Sequence, residues 1–260
     1  ETGAKGVFWN RLYDPASVAR DTRIKQDLQG SGRTVESFNG SLLHEPWTIK
    51  TKTGKRYSVF TPFWKAILAL GDPGATEQKP EQLKAPDNPV DCDTLDDWNL
   101  LPTNPDWADG LRDMWKPGEQ AAQDRLRAFY DRALPGYAAG RDIPGTAGTS
   151  MLSPHLHFGE ISPRQVWRAT RFWADAEESS AASDAALAYL REIGWREFNQ
   201  HLLYHFPTLP TDNVNQRFDA FPWVYDADAL AAWQRGRTGY PIVDAGMREL
   251  WETGWMHNRV

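Results

Sequence analysis

The sequence predicts a mainly α-helical chain with an incomplete α/β part at its start. Three observations carry this. Two short apolar runs, Val7-Phe8-Trp9-Asn10 and Val35-Glu36-Ser37-Phe38, flank one helix-like segment. Residues 71–118 are rich in Pro, Asp and Gly and have little periodicity. Beyond Gly118 most segments have helical spacing. With 260 residues, 40% of them apolar, the chain can bury a large single core or two smaller ones.

Taken in order, the first run reads as a strand. Residues 17–28 have the spacing of a helix, closed by Gly30 and Gly32. The second run reads as another strand, followed by the Asn39-Gly40 turn signal. This is too little for a complete doubly wound sheet. Residues 61–70 read as a short helix with Pro62 in its first turn. The stretch 71–118 reads as a long connection between two domains. Residues 119–134 then place Ala122, Leu126, Phe129 and Ala133 on one helical face, ended by Pro135-Gly136. An irregular loop is expected over 140–153. Ser162-Pro163 caps and starts another helix. A long helix follows over 185–206, then one opened at Asp226/Asp228 and closed by Gly236. Tyr240-Pro241 opens one closed by Gly254.

Composition excludes some functions. A net charge of −6 gives no global nucleic-acid footprint, although a local basic groove is compatible with it. Cys92 is the sole cysteine, which excludes an intrachain disulfide and a cysteine zinc cluster and fits a cytoplasmic protein. No run approaches the roughly 18 apolar residues of a membrane span, so no membrane partner is expected, and there is no signal peptide at the start. The sequence opens on Glu1 and stops at Val260 in WMHNRV, which reads as a chain cut at both ends. Thirteen tryptophans suit either core packing or redox and stacking work on a flat aromatic ligand.

The segment 186–201 is the most informative. At 100° per residue, Leu187, Leu190, Gly194 and Phe198 share one side. Gly194 costs about 1 kcal/mol against Ala in a helix and suggests close approach of another backbone. Glu192, Trp195, Arg196 and Asn199 share the opposite side. Glu192 and Arg196 fit a solvated i,i+4 ion pair. The indole between them fits a heteroaromatic ligand stacked upon and read at its edges. Gly148-Thr149-Ser150 with Leu152-Ser153-Pro154 offers hydroxyls and backbone donors suited to phosphate, or simply a helix cap. It lacks the lysine of a Walker loop. His155/His157 and His201/His205 have ligand-like spacing. The second pair lacks the glutamate of a zinc protease, and no metal site is expected.

Five motifs in order then resemble the photolyase/cryptochrome family. These are YSVFTPFW (57–64), GTSMLSPHLHFGEISPR (148–164), WREF (195–198), TGYPIVDAGMR (238–248) and TGWMHNR (253–259). The likeness covers nearly the whole chain and is strongest to bacterial cyclobutane-pyrimidine-dimer photolyases. It implies the C-terminal part of a Rossmann-like antenna domain over 1–70, a linker over 71–118, and the N-terminal part of a helical FAD- and DNA-binding domain over 119–260. It implies light-driven repair of pyrimidine dimers in damaged DNA by a monomeric lyase. A cryptochrome-type light sensor and a stand-alone DNA-binding module are the rival readings.

The resemblance also implies roles. Tyr137, Thr149, Ser150, Met151, Leu152, Ser153, Tyr189, Arg196 and Asn258 would hold FAD, with 149–153 around its phosphates. Tyr189 stands where the family often has Trp. Arg141, Glu192, Trp195, Asn199, Asn258 and Arg259 would meet DNA. Glu192 would bond the dimer, and Trp195 and Trp255 would pack on it. Glu192 could donate a proton or hydrogen bond only with a pKa raised by burial. Trp223 matches the outermost member of a tryptophan electron chain, whose inner members, with the far wall of the flavin pocket, would follow Val260. The antenna chromophore stays open between methenyltetrahydrofolate, 8-hydroxy-5-deazaflavin and none, since Ala16-Ser17 replaces the Asn-Glu pair some members use for folate.

Overall fold

The computed structural model describes residues 3–78, 80–83 and 91–260. The strand β1 (Gly6–Asn10) pairs in parallel with β2 (Thr34–Phe38), in register from Gly6 on Thr34 to Asn10 on Phe38. The helix α1 (Pro15–Gly30) joins them, since parallel strands need a crossover. Asp14 starts α1 by accepting from the Ser17 N–H at 2.9 Å, with Pro15 preset for the first turn. After β2 the Asn39 side chain accepts from Leu42 N–H at 2.8 Å and turns the chain. Residues 41–59 then run to α2 (Phe60–Leu70), where Phe60, Phe63, Trp64 and Ile67 are buried.

The helical part follows. It comprises α3 (Asp109–Met114), α4 (Glu119–Arg132), α5 (Tyr137–Gly140), α6 (Ser153–Phe158), α7 (Pro163–Ala176), α8 (Ser180–His205), α9 (Ala227–Gln234) and α10 (Pro241–Thr253). Ser162 and Gln165 form a reciprocal capping box at the start of α7. Gly254 ends α10 in the left-handed region, at φ 70°. One core unites Phe63, Trp64 and Ile67 of α2 with Leu126 and Phe129 of α4, Val166 and Trp167 of α7, and Leu190, Ile193 and Phe198 of α8. The helix α8 is the axis of this core, and α2 and α7 pack along it. Among the described residues no helix is long and apolar enough to cross a membrane.

The mainly α architecture with a small parallel α/β part agrees with the sequence. Three local expectations change. The stretch 71–118 is not a bare connection, because α3 forms within it and packs on α10. Gly110 permits this: a Cβ there would lie 2.2 Å from the Glu252 carbonyl oxygen. The long helix begins at Ser180, ahead of the expected residue 185, because Ser179 caps it through the Ala182 N–H at 3.1 Å. Gly194 meets an indole rather than a backbone. A Cβ there would stand 2.5 Å from Trp64 Cε3.

Candidate functional site

A cavity of about 660 Å³ opens where α8, the loop before α6 and the segment after α10 converge. From α8 come Tyr189, Glu192, Ile193, Trp195, Arg196, Asn199 and Gln200. The loop gives Thr149, Ser150, Met151, Leu152 and Ser153, and α5 with its end gives Tyr137 and Arg141. Trp255, Met256, His257 and Asn258 close the remaining side. The helical repeat explains the α8 contribution: residues three and four apart share a face, and the opposite face is committed to the core.

Three side chains on that face are held. Trp195 stacks on Phe60 of α2. Arg196 Nη1 donates to the Ser41 carbonyl at 2.5 Å, and burial draws its pKa below the ordinary value. Glu192 accepts from Arg141 Nη1 in a close ion pair, which raises the guanidinium further above its usual range. Arg141 also lies 5.4 Å from the Tyr137 ring centroid and 3.4 Å from Asp142. Asp142 in turn accepts from Arg259 Nε at 2.8 Å, and that bond lowers its pKa. A charged chain thus runs from Glu192 to Arg259 along the rim.

The back wall is aromatic. Tyr137 and Tyr189 meet edge to face at 5.4 Å, and Phe129 lies 4.6 Å from Tyr189. Burial pushes the Tyr137 hydroxyl up to about 12 and that of Tyr189 higher still, so both are neutral donors at ordinary pH. Gly148 lets the loop close on α5, since a Cβ there would sit 2.5 Å from the Gly140 oxygen. Met151 turns the loop with φ at 51°, a left-handed conformation costly for a side chain and one that concentrates at functional sites. The N-terminus of α6 has no side-chain cap.

Two expected residues lie elsewhere. Trp223 is 71% exposed, with its ring on Phe221, and does not line the cavity. Arg259 stands at the rim on Asp142. The Glu192 carboxylate is half-buried and paired with Arg141. His155 and His201 have structural partners, His155 Nδ1 lying 2.5 Å from the Glu160 carboxylate. His201 Nδ1 donates to the Pro46 carbonyl and Nε2 accepts from Tyr57 N–H, each at 3.2 Å, and burial pulls its pKa down to about 4.

Other lining residues went unread. Gln200 extends the α8 stripe four residues beyond Arg196, a signal present in the sequence. His257 carries a buried Nε2 with no partner among the described residues. Glu197 is also buried. It accepts from Leu43 N–H at 2.9 Å and His44 N–H at 3.3 Å, and burial pushes its pKa up to about 7.

Comparisons with known proteins point to one family. The family profile described as DNA photolyase matches residues 1–86, and the FAD binding domain of DNA photolyase matches 189–260. A deoxyribodipyrimidine photo-lyase of Agrobacterium fabrum is 51% identical over all of this chain and 53% of its own length. Cryptochrome-2 of Arabidopsis thaliana is 38% identical over all of this chain and 44% of its length. The crystal structure of a bacterial class III photolyase from Agrobacterium tumefaciens superposes with a TM-score of 0.93 at 50% identity, covering 99% of this chain and 52% of that one. The chain thus spans about half the length of the relatives it matches. By its two profile matches, which together cover most of the chain, and by the similarity of all its residues to part of these relatives, the chain belongs to the photolyase/cryptochrome family.

Proposed function

We propose that this chain is the dimer-facing part of a light-driven DNA repair enzyme that splits cyclobutane pyrimidine dimers, with FAD as its cofactor. One observation carries the reading: a single cavity brings the acid-indole-amide stripe of α8 together with the hydroxyl-rich loop 149–153. The relatives named deoxyribodipyrimidine photo-lyase support it.

The residues present fit a flat ligand bearing phosphates. The cavity offers the hydroxyls of Thr149, Ser150 and Ser153, neutral tyrosines at its back, and an unpartnered imidazole nitrogen on His257. Tyr137, Tyr189, Arg196, Asn258 and 149–153 would hold the cofactor. FAD held there would supply the light-driven electron-transfer chemistry for ring opening. The protein's work is positional. A dimer within a duplex is out of reach and must be turned out into the cavity, at reduced cost because it stacks poorly. Trp195 and Trp255 offer it aromatic faces, and Asn199 an amide. Arg141 holds Glu192 until a DNA phosphate competes for the guanidinium. Its departure frees the Glu192 carboxyl for the dimer, while Arg259 and Asn258 meet the strand at the rim. Trp223, outside the cavity, would exchange electrons with solvent reductants.

We place the parts of the protein as an α/β antenna remnant over 1–70, a linker over 71–118 and a helical FAD- and DNA-binding part over 119–260. The protein is taken to be a cytoplasmic monomer. A folate or deazaflavin antenna would belong to the α/β part. There Ala16-Ser17 stands where some members carry the Asn-Glu pair used for folate.

The test is conversion of a dimer-containing oligonucleotide by the whole protein under blue light and in darkness. Product only under light is expected. Equal product in both, or none from flavin-loaded protein, overturns the reading. Flavin photoreduction without repair would favour the cryptochrome-type sensor reading.

A further inference from the structure

Trp115 and Arg125 lie outside the cavity lining, yet they touch both of its walls. Trp115 follows α3 directly. Its Nε1 donates to the Thr253 carbonyl at 2.6 Å, and its ring lies 6.2 Å from Trp255, centroid to centroid. Gly254 allows this approach, since a Cβ there would stand 2.8 Å from Leu111 Cδ2. Arg125, on α4, places its guanidinium 4.9 Å from the Trp115 ring centroid. The same guanidinium donates to the Met114 carbonyl at 3.3 Å and to the Met151 thioether at 3.8 Å. Met151 is the left-handed residue of the loop. The indole edge of Trp115 therefore reaches the segment that carries Trp255, and Arg125 reaches the loop that carries Thr149 and Ser150.

We propose that the Trp115–Arg125 pair is a positioning brace that fixes the spacing between the two cavity walls, the loop 149–153 and the segment 253–258. The inference deepens the proposed function and rests on it for the identity of the ligand, but the coupling itself does not. A half-buried cation over an indole is a directional contact. Here it is the link between two segments otherwise distant in the chain. The pair sets the width available to a flat ligand without touching one.

Hydrogen–deuterium exchange on the whole protein, without ligand, tests the coupling directly. Trp115→Ala should speed exchange about tenfold in both 149–153 and 253–258, and leave α7 unchanged. Arg125→Met keeps the indole bond to Thr253, so the rise should be confined to 149–153. The double variant should exchange no faster than Trp115→Ala, because both changes cut one link. Additive effects, or a Trp115→Ala rise limited to 253–258, overturn the brace. Should Trp115→Ala not fold, Trp115→Phe removes the N–H bond and keeps a smaller aromatic ring beside the cation. It should then loosen 253–258 and spare 149–153, and equal loosening of both would overturn the brace. A second arm measures binding of a dimer-containing oligonucleotide in darkness. Affinity should fall several-fold in Arg125→Met and recover in Arg125→Lys, which keeps the cation over the ring; failure of Lys to restore it overturns the brace. If wild-type protein shows no light-driven repair, the proposed function falls and the exchange result still judges the brace.

Discussion

The ring of Trp195 lies flat on that of Phe60, centroids 3.6 Å apart and planes 6° from parallel. The first comes from the cavity face of α8 and the second from the first turn of α2. Arg191 adds its guanidinium 5.6 Å from the Phe60 centroid. An aromatic contact of this kind contributes about 0.5–1.5 kcal/mol beyond burial. Phe60→Leu should therefore release Trp195 and weaken dark binding to dimer-containing DNA by roughly 2–10-fold. Phe60→Tyr, which keeps the ring, should bind within about twofold of wild type. Fluorescence anisotropy decides it, and equal behaviour of Leu and Tyr would remove the stack from the binding account.

Arg141 and Glu192 should separate in the same assay. Arg141→Gln is expected to weaken damaged and undamaged DNA alike and to flatten the salt dependence by about 0.9 in log–log slope, as for one lost phosphate contact. Glu192→Gln should leave undamaged binding intact and cut the preference for the dimer about tenfold. A uniform effect of both variants would contradict the separate roles.

Gly194→Ala should destabilise the protein by about 1–2 kcal/mol, although alanine favours helices by about 1 kcal/mol. The added methyl would lie 2.5 Å from Trp64 Cε3, a rigid indole atom. In a Trp64→Leu background the same change should be neutral or stabilising. Urea denaturation of the four proteins of this cycle measures the reversal.

Glu197 and His201 tilt the pH dependence of stability in opposite directions. The Glu197 pKa is pushed up to about 7 from an ordinary 4.5, so the folded protein keeps a proton that the unfolded chain has released. Its contribution is full below pH 4.5 and is lost as pH rises towards 7. His201, drawn down to about 4 from 6.5, does the reverse: stability rises with pH between those values. Glu197→Gln removes the first slope alone. Its melting temperature relative to wild type should therefore climb by about 5 °C between roughly pH 5 and pH 8. A pH-independent offset would show that Glu197 does not titrate in that window.

The α8 stripe was legible because a 3.6-residue repeat fixes which side chains share a face. Glu192, Trp195, Arg196 and Asn199 had only one way to align once the helix formed. The loop before α6 was legible through its glycine and hydroxyls. Glu197 was not. Its partners, Leu43 and His44, lie 154 and 153 residues away in the chain, and a charged residue beside Phe198 shows no local sign of burial. Trp115 escaped for a related reason. The helix α3 that carries the chain to it has six residues, too few for a repeat to show, and it forms against α10 rather than by its own preference. Gly194 announced a close approach but not what approached.

Residues 192–199 leave scarcely any position idle. Ile193, Gly194, Glu197 and Phe198 are buried, while Glu192, Trp195, Arg196 and Asn199 border the cavity. By contrast α1 buries only Ser17. The two helices should therefore drift at very different speeds. In a saturation library α1 would accept most polar replacements, whereas this octet would admit few, because each alternative is screened either by packing or by the ligand. Such intolerance spread around the whole circumference of a helix, rather than along one stripe, marks a segment that folding and recognition have had to share.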